Sequence, residues 1–183
     1  IVQCDLWFPP RIVPVTPGVM AAPPVLTMVA AWSGFIAAVL PPTRQSGDLL
    51  AGMWQLLAGS FGAVPKTLVW DNEAGIGQHH HLTVGARAFA GTLGTRIWQT
   101  RPRDPEAKGV VERANGFLQT SFLPGRTFTS PADFNTQLAG WLPRATTRLL
   151  RRTRARPLDR LPADVAAMAA LPPVAPQVGW TDR

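Results

Sequence analysis

Three acidic residues, far apart in the chain, are the ones whose type and setting suit chemistry. Asp5 interrupts the apolar run Ile1-Val-Gln-Cys-Asp-Leu-Trp-Phe8. Asp71 follows the apolar run Leu68-Val-Trp70 and opens, with Asn72, a loop bearing Gly75 and Gly77. Glu112 lies within Lys108-Gly-Val-Val-Glu-Arg-Ala-Asn115. The chain has only eight Asp and three Glu, so acids in a strand interior, at a strand end and early in a helix stand out. A carboxylate at the carboxyl end of a central strand sits where open α/β sheets place their chemistry. Clustered carboxylates supply the hard oxygen ligands that Mg²⁺ or Mn²⁺ requires, and the cations offset the repulsion between the acids. Two such ions about 4 Å apart serve both the attacking and the leaving oxygen of a phosphodiester. The chemistry predicted is metal-dependent cutting or joining of DNA.

The elements that must carry these acids follow from periodicity. Residues 1–8 read as a strand with a carboxylate in it, and Cys4 as a small core residue of that strand. Pro9 to Pro24 is proline-rich and predicts a surface loop. Val25–Trp32 and Phe35–Leu40 read as strands joined at Ser33-Gly34. Leu49, Leu50, Met53, Trp54, Leu57 and Phe61 recur at helical spacing over roughly 48–61, and Leu68–Trp70 is a short buried strand. Thr83–Leu93 reads as a helix with Gly94 beyond its end, Thr95–Thr100 as a fifth strand, and Arg101–Glu106 as a polar loop. A helix over Pro105–Leu123 carries Glu112. Its polar positions Lys108, Glu112, Asn115 and Gln119 form one stripe. Ser130 and Pro131 start another helix, expected to kink or end at Pro143. Seven arginines lie between Arg144 and Arg160, Pro162–Leu171 suits a short helix, and Pro172–Arg183 a tail.

Three opening strands with short turns suggest an antiparallel meander, and the later alternation suggests parallel crossovers. The fold class expected is α/β: a ribonuclease H-like mixed five-stranded sheet flanked by helices, with a C-terminal helical and basic extension. The boundaries expected are 1–123 for the core, 124–171 for the extension and 172–183 for the tail.

With 183 residues the chain suits one domain and a short appendage. A net charge of +7 and a pI of about 11.4 favour a polyanionic partner. Arg outnumbers Lys sixteen to two. A GC-rich genome accounts for much of that, although the planar Arg fork also suits phosphate. A single cysteine excludes an internal disulfide and fits a reducing cytoplasm. The longest apolar run, Val25 to Leu40, is too short for a membrane span, so no membrane partner is expected. The absence of an initiator Met predicts a piece of a longer protein.

Asp5, Asp71-Asn72 and Lys108-Gly-Val-Val-Glu-Arg113 together resemble the Asp-Asp-Glu triad of the transposase and retroviral-integrase superfamily. Sixty-five residues lie between the first two acids and forty between the second pair, the latter close to the family's usual spacing. Leu68-Val-Trp-Asp-Asn-Glu-Ala-Gly-Ile-Gly77, Arg103-Asp-Pro-Glu-Ala-Lys-Gly-Val-Val-Glu-Arg-Ala-Asn115 and Ser121-Phe-Leu-Pro-Gly-Arg-Thr-Phe-Thr-Ser-Pro-Ala-Asp-Phe-Asn135 are similar to the IstA-type insertion-sequence transposases. The resemblance runs from the first strand to about Pro173. It implies two Mg²⁺ (or Mn²⁺) ions held by Asp5, Asp71 and Glu112, with Asp5 bridging them and Glu112 on the second. It also implies transposon-end and target DNA as substrates, a homo-oligomer on DNA, a partner ATPase, and a bacterial, nucleoid-associated setting. Lys108 and Arg113 would meet phosphate near Glu112. The sequence departs from the wider pattern at Glu73, where Gly is common.

Other readings accompany these. Arg151, Arg152, Arg154 and Arg156 are expected to form a DNA-contacting stripe, against the plainer reading of a basic surface. Glu73 and Glu106 are expected to be surface acids, and His79-His80-His81 an exposed loop without the spacing of a zinc site. Trp70 is expected to pack beneath the acids and Trp98 to lie in the core. The alternative to an enzyme is an inactive transposase-derived module that binds DNA or protein. A ribonuclease H-like nuclease such as a junction resolvase is a third option.

Overall fold

The computed structural model describes residues 1–10, 12–100 and 105–178, with the backbone alone for 105–108. Five strands form the central sheet: β1 (Val2–Trp7), β4 (Val25–Ala30), β5 (Ile36–Val39), β6 (Thr67–Trp70) and β9 (Arg96–Gln99). They lie in the order β5-β4-β1-β6-β9. β4 pairs antiparallel with both β1 and β5, while β6 pairs parallel with β1 and β9. The change from antiparallel to parallel falls where helical crossovers replace short turns, as the element order predicts. Every residue of β4 is buried, which is why Val25–Ala30 reads as a continuous apolar run rather than an alternating one.

Alternation along the central strands divides the interior. Val2 and Cys4 of β1, Leu26 and Met28 of β4, and Leu68 and Trp70 of β6 face α1 (Ser46–Leu56) and α2 (Val84–Leu93). Leu49, Leu50 and Met53 of α1 and Phe89 of α2 fill that side. Val25 and Val29 of β4 and Ile36 and Ala38 of β5 face α3 (Pro105–Phe117) and α4 (Pro131–Thr147), where Val111, Ala114, Phe134, Leu138, Trp141 and Ala145 pack. α4 thus shares a core with α3 and the sheet. Trp70, directly before Asp71, is fully buried; truncating such a side chain to Ala costs about 3–5 kcal/mol.

Several local expectations are corrected. The Pro9–Pro24 stretch holds a hairpin, β2 (Val13–Thr16) and β3 (Val19–Ala21). Pro17 and Gly18, the latter at φ 77°, supply the turn between them. Val13 is anchored in the core beside α4, and Pro14 is tolerated because the two-stranded ribbon has only edge strands. α4 continues through Pro143 to Thr147. Its buried stripe has members on both sides of the proline, Trp141 before and Ala145 after. Thr146 and Thr147 donate their hydroxyls to the Pro143 carbonyl. Trp98 is 41% exposed: it lies opposite Val69 on the edge strand β9, and its neighbours Ile97 and Gln99 are the buried ones. The last helix, α5, is Pro157–Ala166 with Pro162 inside it, earlier than expected. α1 and α3 each close in a π-turn, Leu57–Phe61 and Leu118–Phe122, which keeps both ends of each segment buried. No helix among the described residues is long and apolar enough to cross a membrane.

Candidate active site

Parallel neighbours β1 and β6 carry Asp5 and Asp71 toward the same end of the sheet. β1 and β6 run parallel with Val2 opposite Leu68 and Gln3 opposite Val69. Carried two residues further, one residue past the end of β6, the same register would set Asp71 level with Asp5. Adjacent strands are about 4.8 Å apart, and side chains at level positions project to one face. That face is the one α3 covers. Both acids are partly exposed.

Polar side chains of β1 and α3 hold the helix in place. Gln3, almost fully buried, accepts hydrogen bonds at its Oε1 from the backbone N–H groups of Val110 and Val111, each 3.1 Å. Asn115 Nδ2 donates to Asp5 Oδ2 at 2.8 Å. β1 and α3 are therefore tied at two levels, and the second tie is to the carboxylate itself. The sequence marks Asn115 only as one member of a polar stripe and gives Gln3 no role. A buried amide inside a strand, which needs a partner, was the available signal for Gln3. Glu112 lies nearly one turn before Asn115 and is exposed. Among the described residues, no three His, Cys, Asp or Glu side chains converge on one point. The three predicted acids therefore do not form one cluster in this arrangement.

Two further atoms bear on cation binding. Asn115 Oδ1 is buried and has no hydrogen-bond partner, beside an Asp5 carboxylate already bonded to the other end of the same amide. Thr27, opposite Asp5 across β4, has a buried hydroxyl likewise without one. Buried polar atoms without partners are uncommon and call for an explanation such as an ion or its water. Carboxylate oxygens and a spare amide oxygen are hard donors, the kind that suits Mg²⁺ or Mn²⁺. The residues present fit such an ion at Asp5 and Asp71.

Side-chain hydrogen bonds tie down the loop after Asp71. Asn72 Oδ1 accepts from the backbone N–H of His79 at 3.0 Å. This steadies a small hairpin, β7 (Gly77–Gln78) and β8 (His81–Leu82). His79 and His80 form its turn at φ 50° and 64°, the left-handed pair that a tight hairpin demands. The three histidines are exposed, as expected, but belong to a hairpin rather than an irregular loop. Glu73, expected at the surface, is 8% exposed. Arg44 Nη2 donates to both of its carboxylate oxygens, at 2.9 and 3.1 Å, and lies over the ring of Phe8 just past β1. Gly75 admits this contact: a Cβ there would stand 2.4 Å from the Arg44 carbonyl oxygen. The pair spans 29 residues of sequence, so the local pattern could not disclose it. The side chains of Glu106 and Lys108 lie outside the described residues.

The basic candidates fall elsewhere. Arg113 is exposed on α3. Arg151, Arg152 and Arg154 are exposed at a tight turn closed by the bridge between Leu150 and Ala155, and Arg156 is exposed just beyond it, before α5. Arg148 is more enclosed. Its guanidinium lies 3.3 Å from the Phe117 ring centroid, and burial lowers its pKa from the ordinary arginine value.

No family model matches this sequence, and no curated protein does. Solved structures match its fold. The catalytic core domain of BIV integrase superposes with a TM-score of 0.64 at 16% identity, over 88% of this chain and 93% of that one. A chain of the simian T-cell lymphotropic virus intasome, solved in complex with PP2A regulatory subunit B56 gamma, matches with a TM-score of 0.67 at 17% identity. That match covers 100% of this chain and 59% of the other. The fold is therefore that of an integrase catalytic core, the ribonuclease H-like class expected from the element order.

Proposed function

We propose that this chain is the catalytic core of a DNA transposase or integrase that cleaves and joins DNA strands with divalent metal. What supports the proposal is an integrase-type sheet in which the β1–β6 register, carried on past Gln3 and Val69, would set Asp71 level with Asp5 on one face. Asp5 and Asp71 would hold the first cation, beside the spare oxygen of Asn115. Glu112, on the same helix as Asn115, would complete the ligand set. Mg²⁺ or Mn²⁺, when bound, supplies Lewis-acid activation of the attacking oxygen and charge stabilisation of the leaving one. The chain's own part is to orient. The Asn115 amide fixes the rotation of the Asp5 carboxylate, Gln3 holds α3 at its level, and the Arg44–Glu73 pair fixes the loop leaving Asp71. Lys108, Arg113, Arg151, Arg152, Arg154 and Arg156 would meet DNA phosphate. Oligomerisation on transposon ends and a partner ATPase rest on the IstA-type resemblance alone.

The test is Asp71→Asn in the full-length protein, with transposon-end DNA and the partner ATPase. The amide keeps the side chain's shape and removes the charge that attracts a cation. Strand joining falls to background while DNA binding persists. Mg²⁺ and Mn²⁺ support joining, and Ca²⁺ supports binding without cutting, because its looser coordination does not set up in-line attack. Robust joining by Asp71→Asn would end the proposal. The second reading, an inactive DNA- or protein-binding module, is favoured by one observation: the three acids do not converge. It predicts no joining by the unaltered protein under any metal.

A further inference from the structure

On the same face of the sheet as the acids, but across α3 from them, lies a cavity of about 240 Å³. Its apolar floor comes from Val29 of β4, Ile36 of β5 and Val110 of α3, and its walls from Arg113, Arg148, Arg151 and Arg152. No Asp or Glu lines it. None of these four guanidinium groups has an ion-pair partner among the described residues. Like charges gathered around one space repel, and the one most withdrawn from water pays most for it. That residue is Arg148. Its Nε is buried without a hydrogen-bond partner, while its plane is held against Phe117. Arg113 reaches back along its own helix because Gly109 has no side chain: a Cβ there would stand 3.2 Å from the Arg113 guanidinium.

We propose that this cavity is a seat for a DNA backbone phosphate, with Arg148 as its fixed centre and Arg113, Arg151 and Arg152 closing around it. Planar guanidinium forks match phosphate oxygens in pairs. An apolar floor beside them suits the deoxyribose that flanks each phosphodiester in a chain. A free inorganic anion would leave that floor unused. An acidic peptide would present carboxylates at a less regular spacing than a strand does. The cavity is separated from Glu112 by the width of α3, about 10 Å, so one strand crossing the helix could occupy both places. The inference depends on the nucleic-acid reading above but not on catalysis.

The experiment uses the full-length protein and an arginine-specific dicarbonyl reagent, with modification read at each arginine by mass spectrometry. Random duplex DNA protects Arg148, Arg151 and Arg152, whereas poly-glutamate at equal charge concentration and inorganic phosphate do not. Protection by poly-glutamate alone would indicate an acidic protein partner and overturn the proposal. Protection by phosphate without protection by duplex would indicate a small-anion site and overturn it equally. In parallel, Arg148→Gln/Arg151→Gln is compared with Lys66→Gln/Arg87→Gln, which removes two charges away from the cavity. The first pair makes the slope of log affinity against log salt shallower by about 0.9 or more, one phosphate's worth, and the second leaves it unchanged. Equal slopes for the two variants would reduce the cavity to general surface charge. Protection at Arg148 in a protein that never joins DNA would sink the catalytic reading and spare this one. Joining with Arg148 fully reactive on DNA would do the reverse.

Discussion

The two flanks of α3 carry opposite charge and are built by different means. Toward β1 and β6, Asn115 holds Asp5 at 2.8 Å, and Asp71 follows directly on the strand paired parallel with β1. Directional bonds and register set those carboxylates. Toward β4 and β5, Arg113 and Arg148 meet Arg151 and Arg152 over an apolar floor, and only an aromatic ring steadies the most enclosed of them. A metal site demands fixed oxygen geometry, which hydrogen bonds and strand register provide. A site for a moving polyanion demands charge more than geometry, and a stacked but unpaired guanidinium provides that. One helix thus separates a precise region from an adaptable one.

The largest effect that would sharpen this contrast is on Glu112. Glu112→Gln lowers strand joining to background, as far as Asp71→Asn does, with duplex binding kept. Joining near the unaltered rate would leave Asp5 and Asp71 as the only acids that matter. Next comes Asn115→Ala, which frees the Asp5 carboxylate to rotate. Loss of a side chain that orients a metal ligand typically costs about 10–100-fold in metal affinity or activity, so Mn²⁺ titration and joining rate both weaken by that order. An unchanged Mn²⁺ affinity would make Asn115 merely a helix–strand tie.

A smaller effect is expected at the loop leaving Asp71. Arg44→Met strands the buried Glu73 carboxylate. The expected cost is about 1–3 kcal/mol of stability, measured by denaturant unfolding, with joining reduced through Asp71. Glu73→Gln removes the charge but keeps one oxygen to accept from Arg44, and retains joining. Loss of joining in that variant at unchanged stability would make Glu73 a ligand rather than a latch.

The smallest effect lies outside both flanks, at the start of α4. Asp133 accepts from the Thr129 backbone N–H at 2.9 Å. That bond, with a lesser one from Gln137, lowers its pKa below the ordinary 3.8. A group whose folded pKa is depressed stabilises the fold above its unfolded pKa and loses that contribution as pH falls through the folded value. Thermal midpoints of the unaltered chain and of Asp133→Asn therefore differ at pH 5–7 and converge as pH drops below about 3.8. Curves that stay parallel down to acid pH would remove the carboxylate from the helix start.

Local pattern by itself determined much of this protein. Helical spacing in Leu49–Phe61, the unbroken apolar run of Val25–Ala30 and the Ser130-Pro131 start are short-range signals. The elements they predict are present because burial of an apolar stripe is decided over a few turns. The setting of Asp5 in one strand and Asp71 at the end of another was equally legible. What tertiary structure decided was which distant residues meet. Asn115 finds Asp5 across 110 residues and Asp164 accepts from the Ser33 N–H across 131. Glu73 is buried only because Arg44 arrives from another loop. Trp98 stays exposed because its strand is the sheet's edge, and Pro143 stays helical because Trp141 and Ala145 bury on either side of it. For Asn115, Asp164 and Glu73 the partner lies far along the chain, and no short window of sequence contains it.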